Sequence, residues 1–350
     1  MTQICNHYAI AILSVLLLSG TGLAADASMK DDAYHYMRNS IDDNLYNEWW
    51  YFNAISNNSQ FFVFYLLCDP DNLTGSGKLQ VLAAVLEDGK PPVIGLRQSR
   101  GFGGDRNSPT LDLDQSGFAL QDESSLNVWG RASDETSGTP ISWNLIYQPA
   151  VSPWFAIPVQ EKVGHTKGGW MKWLAYMPSA NVSGSLTLGE SVFKVDGTGY
   201  HDHCWGRWAL NDPQFAWAQC SIPKEGFSLT LGDILGEQQR SYLGIKFEGR
   251  TIIFSGKQVR LNMTRFANDP QTAETYPSRY EVVAENNDFL LNMTANVQKT
   301  VPLMIDYPAP APSYLVFQQV SDLQGVLYSK MGREYQFDAV GFTGYTTPRM

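Results

Sequence analysis

The segment Gly197-Thr198-Gly199-Tyr200-His201-Asp202-His203-Cys204-Trp205-Gly206 gathers two of the five histidines, a carboxylate, a thiol and two large aromatic rings. If it is extended, His201 and His203 point to one face and Tyr200, Asp202 and Cys204 to the other. A carboxyl group near imidazoles can move protons in general acid–base catalysis. His-x-His on a strand can also bring two imidazoles to one metal ion, but a useful site needs a third and usually a fourth ligand. His35 and His165 sit at no ligand-like spacing, so no metal is expected. The plain structural alternative is a histidine that hydrogen-bonds to hold a glycine-rich corner. A nucleophilic Cys204 beside His203 is not expected, because neighbouring strand residues point apart.

A second segment, Glu48-Trp49-Trp50-Tyr51-Phe52-Asn53, places four consecutive aromatics on what must be both faces of a strand. Taken alone, it reads as core packing between sheets. Glu48 is out of character there, since a carboxylate beside such a strand must be exposed or specifically paired. Other catalytic signatures are missing. The chain has no Gly-x-Ser-x-Gly elbow, and Gly75-Ser76-Gly77-Lys78 lacks the spacing of a phosphate loop. Arg100-Gly101-Phe102-Gly103-Gly104-Asp105 opens no helix and is no dinucleotide fingerprint.

The elements that must position these residues read almost entirely as strands. Short apolar or alternating runs recur between turn residues, among them Phe61–Leu67, Leu79–Leu86, Ile141–Tyr147, Phe227–Leu235 and Tyr335–Val340. Turns fall at Asp88-Gly89, Gly189-Glu190 and Glu248-Gly249. This spacing predicts an antiparallel sandwich or barrel. One short helix is expected over 32–43, and the Pro-rich run 307–312 cannot be a central strand. All ten tryptophans lie between Trp49 and Trp217. The last third keeps the strand pattern without them, so two domains are expected, 32–208 and 209–346.

The run Tyr8–Leu18 followed by Ser19–Ala25 has the form of a short apolar core and a small-residue cleavage site. It predicts a signal peptide over 1–25 and an exported protein, with an uncleaved anchor as the alternative. No later apolar run is long enough to span a membrane as a helix. The net charge of −10 and a pI near 5.0 exclude nucleic acid and anionic membrane surfaces as natural partners. Cys68, Cys204 and Cys220 remain after cleavage, an odd number that leaves room for one bridge, with Cys204–Cys220 the first pair to consider, or for buried free thiols. Five Asn-x-Ser/Thr sequons begin at Asn57, Asn72, Asn181, Asn262 and Asn292, in keeping with export.

Taken together, the Glu48–Asn53 and Gly199–Gly206 segments resemble the carotenoid hydratase (hydroxyneurosporene synthase) and AttH-like superfamily. That group also includes kievitone hydratase-like proteins and lipocalin-like Diels–Alderases. The resemblance implies an all-β chain of two packed, lipocalin-like antiparallel barrels or sandwiches. It also implies cofactor-free chemistry on an apolar isoprenoid, carotenoid, lipid or polyketide-like molecule, by hydration or cyclisation. In that picture Asp202 is the acid, with His203 or His201 orienting it or managing water. Trp49, Trp50, Tyr51, Tyr200 and Trp205 form the pocket wall. The sequence departs from the family pattern at Cys204, where a polar residue usually stands, and at Gly344–Pro348, which lacks the family's C-terminal acid. A carrier of a hydrophobic molecule, without catalysis, is the alternative function. A polar group aimed into the pocket would favour the enzyme.

Overall fold

The computed structural model describes residues 27–37, 45–57, 59–73, 75, 77–209, 214–235, 240–305 and 314–348. The expected signal peptide and the Pro-rich run 307–312 lie outside them. The described chain is nearly all strand, as the spacing predicts. Its first sheet contains β1 (Tyr46–Ser56), β2 (Ser59–Cys68), β3 (Lys78–Glu87), β4 (Val93–Gln98), β5 (Gly103–Gly104) and β6 (Thr110–Leu113). It continues with β7 (Ser116–Leu120), β8 (Leu126–Asp134), β9 (Pro140–Pro149), β10 (Trp154–Lys162), β11 (Trp170–Leu188) and β12 (Ser191–Arg207). The second sheet contains β13 (Gln214–Ile222), β14 (Phe227–Leu235), β15 (Arg240–Phe247), β16 (Arg250–Ser255) and β17 (Val259–Asn268). It ends with β18 (Thr275–Glu285), β19 (Phe289–Ile305), β20 (Tyr314–Ser329) and β21 (Glu334–Pro348). Every pairing among the described strands is antiparallel.

The first sheet curls until its hydrogen bonds form a circuit, β1-β2-β3-β4-β8-β9-β11-β12 and back to β1. The seam is narrow: β4 and β8 share only Gly95↔Asp134 and Leu96↔Ser133. The length of β11 makes closure possible. Its C-terminal half pairs with β9, whereas its N-terminal half pairs with β10. The interior is packed with side chains such as Phe52, Val63, Tyr65, Val128 and Trp143, and is a core rather than an open pore. The second sheet runs β16-β15-β14-β13-β21-β20-β19-β18-β17 and stays an open half-barrel over its own core of Leu229, Leu243, Tyr280, Leu291 and Leu323. The fold is therefore lipocalin-like in both halves.

The two sheets meet along a third apolar layer, formed by the outer face of the barrel and the facing side of the half-barrel. Glycines shape this contact. A Cβ on Gly232 would lie 2.3 Å from the Trp173 ring, and one on Gly244 would lie 2.2 Å from Trp154. Two barrel tryptophans thus rest on bare backbone of the second sheet, a close approach that only glycine permits. A register shift between Val297 and Lys299 turns β19 over. Leu291 and Met293 face the half-barrel core, whereas Val301 and Leu303 face the barrel.

Two expectations need correction. The helix expected over 32–43 is, within the described residues, a four-residue 3-10 turn at Met29–Asp32 followed by non-helical backbone through residue 37. That backbone leaves the helical path because its N–H groups are claimed by the carboxylate of Glu48, described below. The glycine-rich corner expected around Gly197–Gly206 is no corner but the second half of the 17-residue strand β12. Its glycines serve close approach: a Cβ on Gly197 would lie 2.0 Å from the Ile55 carbonyl oxygen. Cys68, Cys204 and Cys220 are buried and form no disulfide with one another. Cys204 belongs to the intersheet layer and Cys220 to the half-barrel core. No helix among the described residues is long and apolar enough to cross a membrane.

Candidate functional site

The two sequence segments are neighbours in space because β1 and β12 pair antiparallel. Trp50 is opposite His203, Tyr51 opposite Asp202 and Phe52 opposite His201. Strand alternation then sorts both segments onto two faces. Glu48, Trp50 and Phe52 share the barrel interior with His201, His203 and Trp205. Trp49 and Tyr51 share the outer face with Tyr200, Asp202 and Cys204.

The inner face is sealed. His201 stacks on Phe52 with ring centroids 3.8 Å apart, and His203 stacks on Trp50 at 4.4 Å. His201 Nδ1 lies 2.9 Å from the Tyr51 carbonyl oxygen, which can only accept, so Nδ1 carries the hydrogen. His201 Nε2 lies 2.9 Å from Asp32 Oδ2, a contact that requires a second proton between ring and carboxylate. His203 Nε2 donates to Glu48 Oε1 at 2.9 Å, and its Nδ1 lies 3.5 Å from Asp32 Oδ1. All four of these side chains are fully buried.

Glu48 also binds the N-terminal segment. Its carboxylate accepts the backbone N–H groups of His35 and Tyr36 and the Tyr46 hydroxyl. The Trp50 indole N–H donates to the Asp32 carbonyl. Burial alone would raise the Asp32 pKa, but attraction and hydrogen bonding from His201 and His203 bring it below its ordinary value. Burial would lower His203, yet the hydrogen bonds to Asp32 and Glu48 raise it. Buried charges that each face an opposite charge inside a packed core are a structural arrangement. Glu48 is the specifically paired carboxylate its surroundings demand. Asp32, the other half of the network, escapes sequence reading because its segment looks like an ordinary helix start.

The outer face opens onto a cavity of about 660 Å³ between barrel and half-barrel. The rings of Trp49, Trp173 and Trp208 on one side and Trp217 on the other wall it, with Leu82 and Leu303 filling between. Asp202 lies on this wall. Its Oδ2 accepts the Tyr200 hydroxyl at 2.9 Å, while its Oδ1 is buried with no hydrogen-bond partner. Burial raises its pKa to about 6 against the smaller opposing effects of the Tyr200 and Trp173 donors. Cys204 shares the wall, but burial pushes its thiol well up and leaves it a poor nucleophile.

The residues expected at the site therefore divide. Trp49, Tyr51 and Asp202 line the cavity, and Tyr200 stands behind Asp202 as its hydrogen-bond donor. Trp50 and Trp205, expected in the wall, are inside the barrel, and so are His201 and His203. The strand's period of two separates Asp202 from the histidines on either side of it, so neither His orients its carboxyl by direct contact. Gln318 was missed. It reaches the cavity from β20 and donates its Nε2 to the Tyr51 hydroxyl at 2.7 Å. Only the strand pairing could have revealed it, because its sequence surroundings carry no motif. Among the described residues, no group of three or more His, Cys, Asp or Glu side chains is arranged to hold a metal ion.

No protein-family model matches the chain, and no curated protein matches it significantly. Solved structures do. A protein assigned as an AttH from Nitrosomonas europaea superposes with a TM-score of 0.62 at 15% identity, over 93% of this chain and 97% of that one. Kievitone hydratase from Nectria haematococca gives 0.60 at 13% identity, over 95% of both chains. CghA with Sch210972 gives 0.56 at 11% identity, over 92% of this chain and 96% of that one. Across nearly its whole length, the chain has the two-sheet fold of the AttH, kievitone hydratase and CghA structures.

Proposed function

We propose that the protein is a cofactor-independent enzyme that protonates a C=C bond of a hydrophobic, isoprenoid- or polyene-type molecule in the intersheet cavity, leading to hydration or cyclisation. One observation carries this reading: Asp202 places a buried, unpartnered carboxyl oxygen on the wall of an aromatic cavity. A pKa raised to about 6 leaves the carboxyl group able both to give up and to recover a proton near neutral pH. Asp202 donates its proton to one alkene carbon, and the electron pair of the π bond forms the new C–H bond. The other carbon becomes cationic, and the faces of Trp49, Trp173 and Trp217 stabilise it. In hydration, water attacks that carbon and the resulting oxonium returns its surplus proton to the Asp202 carboxylate. In cyclisation, a second π bond of the same molecule attacks instead, and the carboxylate takes back a proton from an adjacent carbon.

The superposable structures include kievitone hydratase and CghA with Sch210972, which agrees with this reading at the level of fold. Asp202→Asn tests it, since the change keeps shape and removes the ionisable proton. The expected result is a loss of turnover of about a hundredfold or more with ligand affinity retained and no fall in melting temperature. Wild-type turnover by Asp202→Asn would overturn the acid assignment. Binding of hydrophobic molecules with no conversion by the wild type, across polyene and prenylated substrates, would make the protein a carrier instead.

A further inference from the structure

The wall that carries Asp202 has a second unpartnered polar atom. Gln318 is 1% exposed, and its Oε1 has no hydrogen-bond partner. Its Nε2 donates to the Tyr51 hydroxyl at 2.7 Å. Tyr51 is in turn directly opposite Asp202 in the β1–β12 register, on the same face. The half-barrel thus delivers an amide to the cavity on whose wall the barrel presents its carboxyl group. Both side chains line the cavity, and each keeps one oxygen, Asp202 Oδ1 and Gln318 Oε1, without a partner.

A buried polar atom with no partner costs about 1–3 kcal/mol, which a ligand recovers by supplying the missing group. The amide oxygen can only accept, so it asks for a donor. The protonated carboxyl group at Asp202 can donate, so it asks for an acceptor. A hydroxyl group meets both demands at once, whereas a carbonyl oxygen meets only the second and a hydrocarbon meets neither. We propose that the cavity selects hydrophobic molecules bearing a hydroxyl group at the end seated between Asp202 and Gln318, with Gln318 Oε1 as the acceptor that reads it. This rests on the cavity being the ligand site. It does not rest on proton transfer.

The test is equilibrium binding of three probes of one carbon skeleton, farnesol, farnesal and farnesene, followed by quenching of the cavity tryptophans. Wild-type protein is expected to bind farnesol about tenfold or more tightly than farnesene, with farnesal between them. Gln318→Met, which keeps length and removes the acceptor, is expected to bring farnesol to within about threefold of farnesene without weakening farnesene. A melting curve confirms that the variant is folded, and the wild-type probe series decides the question without it. Farnesal equal to or tighter than farnesol, farnesene equal to farnesol, or no saturable binding of any probe would each overturn the inference. A Gln318→Met variant that keeps the full preference would also overturn it. Failure of the acid assignment reads differently, as Asp202→Asn turnover with this preference intact.

Discussion

On the inner face of β12, His201 and His203 each meet a carboxylate at 2.9 Å, inside the packed core of the barrel. On the outer face, Asp202 lines the cavity, accepts from the Tyr200 phenol with Trp173 nearby, and keeps Oδ1 buried without a hydrogen-bond partner. The two faces are one residue apart in sequence and carry similar titratable groups. They differ in how completely those groups are partnered. On the inner face the opposite charges and hydrogen bonds settle the protons and tie residues 32–36 to the barrel. On the outer face a carboxyl group without a countercharge keeps its proton to a higher pH than usual, up to about 6, because burial disfavours the charge. Opposite charges facing one another in a packed core make structure, and a carboxyl group without a countercharge beside a cavity makes reactivity.

The largest effect should come from breaking the inner face. His203→Ala leaves Glu48 buried without its imidazole and Asp32 with His201 alone, and a buried ion pair stripped of one partner costs about 3–5 kcal/mol. Urea unfolding of the variant should register that loss, together with greater protease access to residues 28–37. The difference should also depend on pH. The raised pKa of His203 makes its contribution complete below its ordinary value of 6.5 and lost as pH rises through the folded value. The lowered pKa of Asp32 makes its contribution present above 3.8 and lost as pH falls through the folded value. The gap between wild type and variant should therefore be widest between those limits and narrow on either side. A gap that does not change with pH would mean that the inner pairs are not ionic.

A smaller effect should follow from disturbing the outer face alone. Gly232→Val would drive its Cβ into the Trp173 ring, which lies 2.3 Å from that position. Overpacking of this kind costs about 1–3 kcal/mol. Because Trp173 walls the cavity, the variant should bind farnesol more weakly while keeping the hydrogen-exchange protection of β1 and β12 in the barrel. Equal loss of protection in the barrel would show that the two faces are not independent.

Much of the fold is legible in the sequence, because period-two alternation and turn residues act locally. Phe227–Leu235 is a strand over the residues its pattern predicts, and Glu248 and Gly249 take the positive φ angles of 49° and 71° that a tight hairpin needs. The long strands are harder to read. In sequence, 170–177 and 182–188 read as two strand-like runs, but β11 continues through both across Pro178, near register shifts that local pattern does not foresee. Alternation correctly divides His201 and His203 from Asp202, but it cannot say which face is hollow. That depends on the second sheet docking outside the barrel, a long-range fact. For the same reason Trp50 and Trp205 look like pocket walls in sequence and are core in the structure, and Asp32 and Gln318 draw no notice until their partners arrive from distant strands.

The central claim is that burial lets Asp202 keep its proton up to about pH 6, and infrared difference spectroscopy of wild type against Asp202→Asn tests it directly. At pH 5 the wild type should show the C=O stretch of a protonated carboxyl group that the variant lacks. That band should fade with a midpoint near the raised value of about 6. A band already absent at pH 5, or fading near the ordinary carboxylate value of 3.8, would contradict the account and leave Asp202 as another charged group without a proton to give.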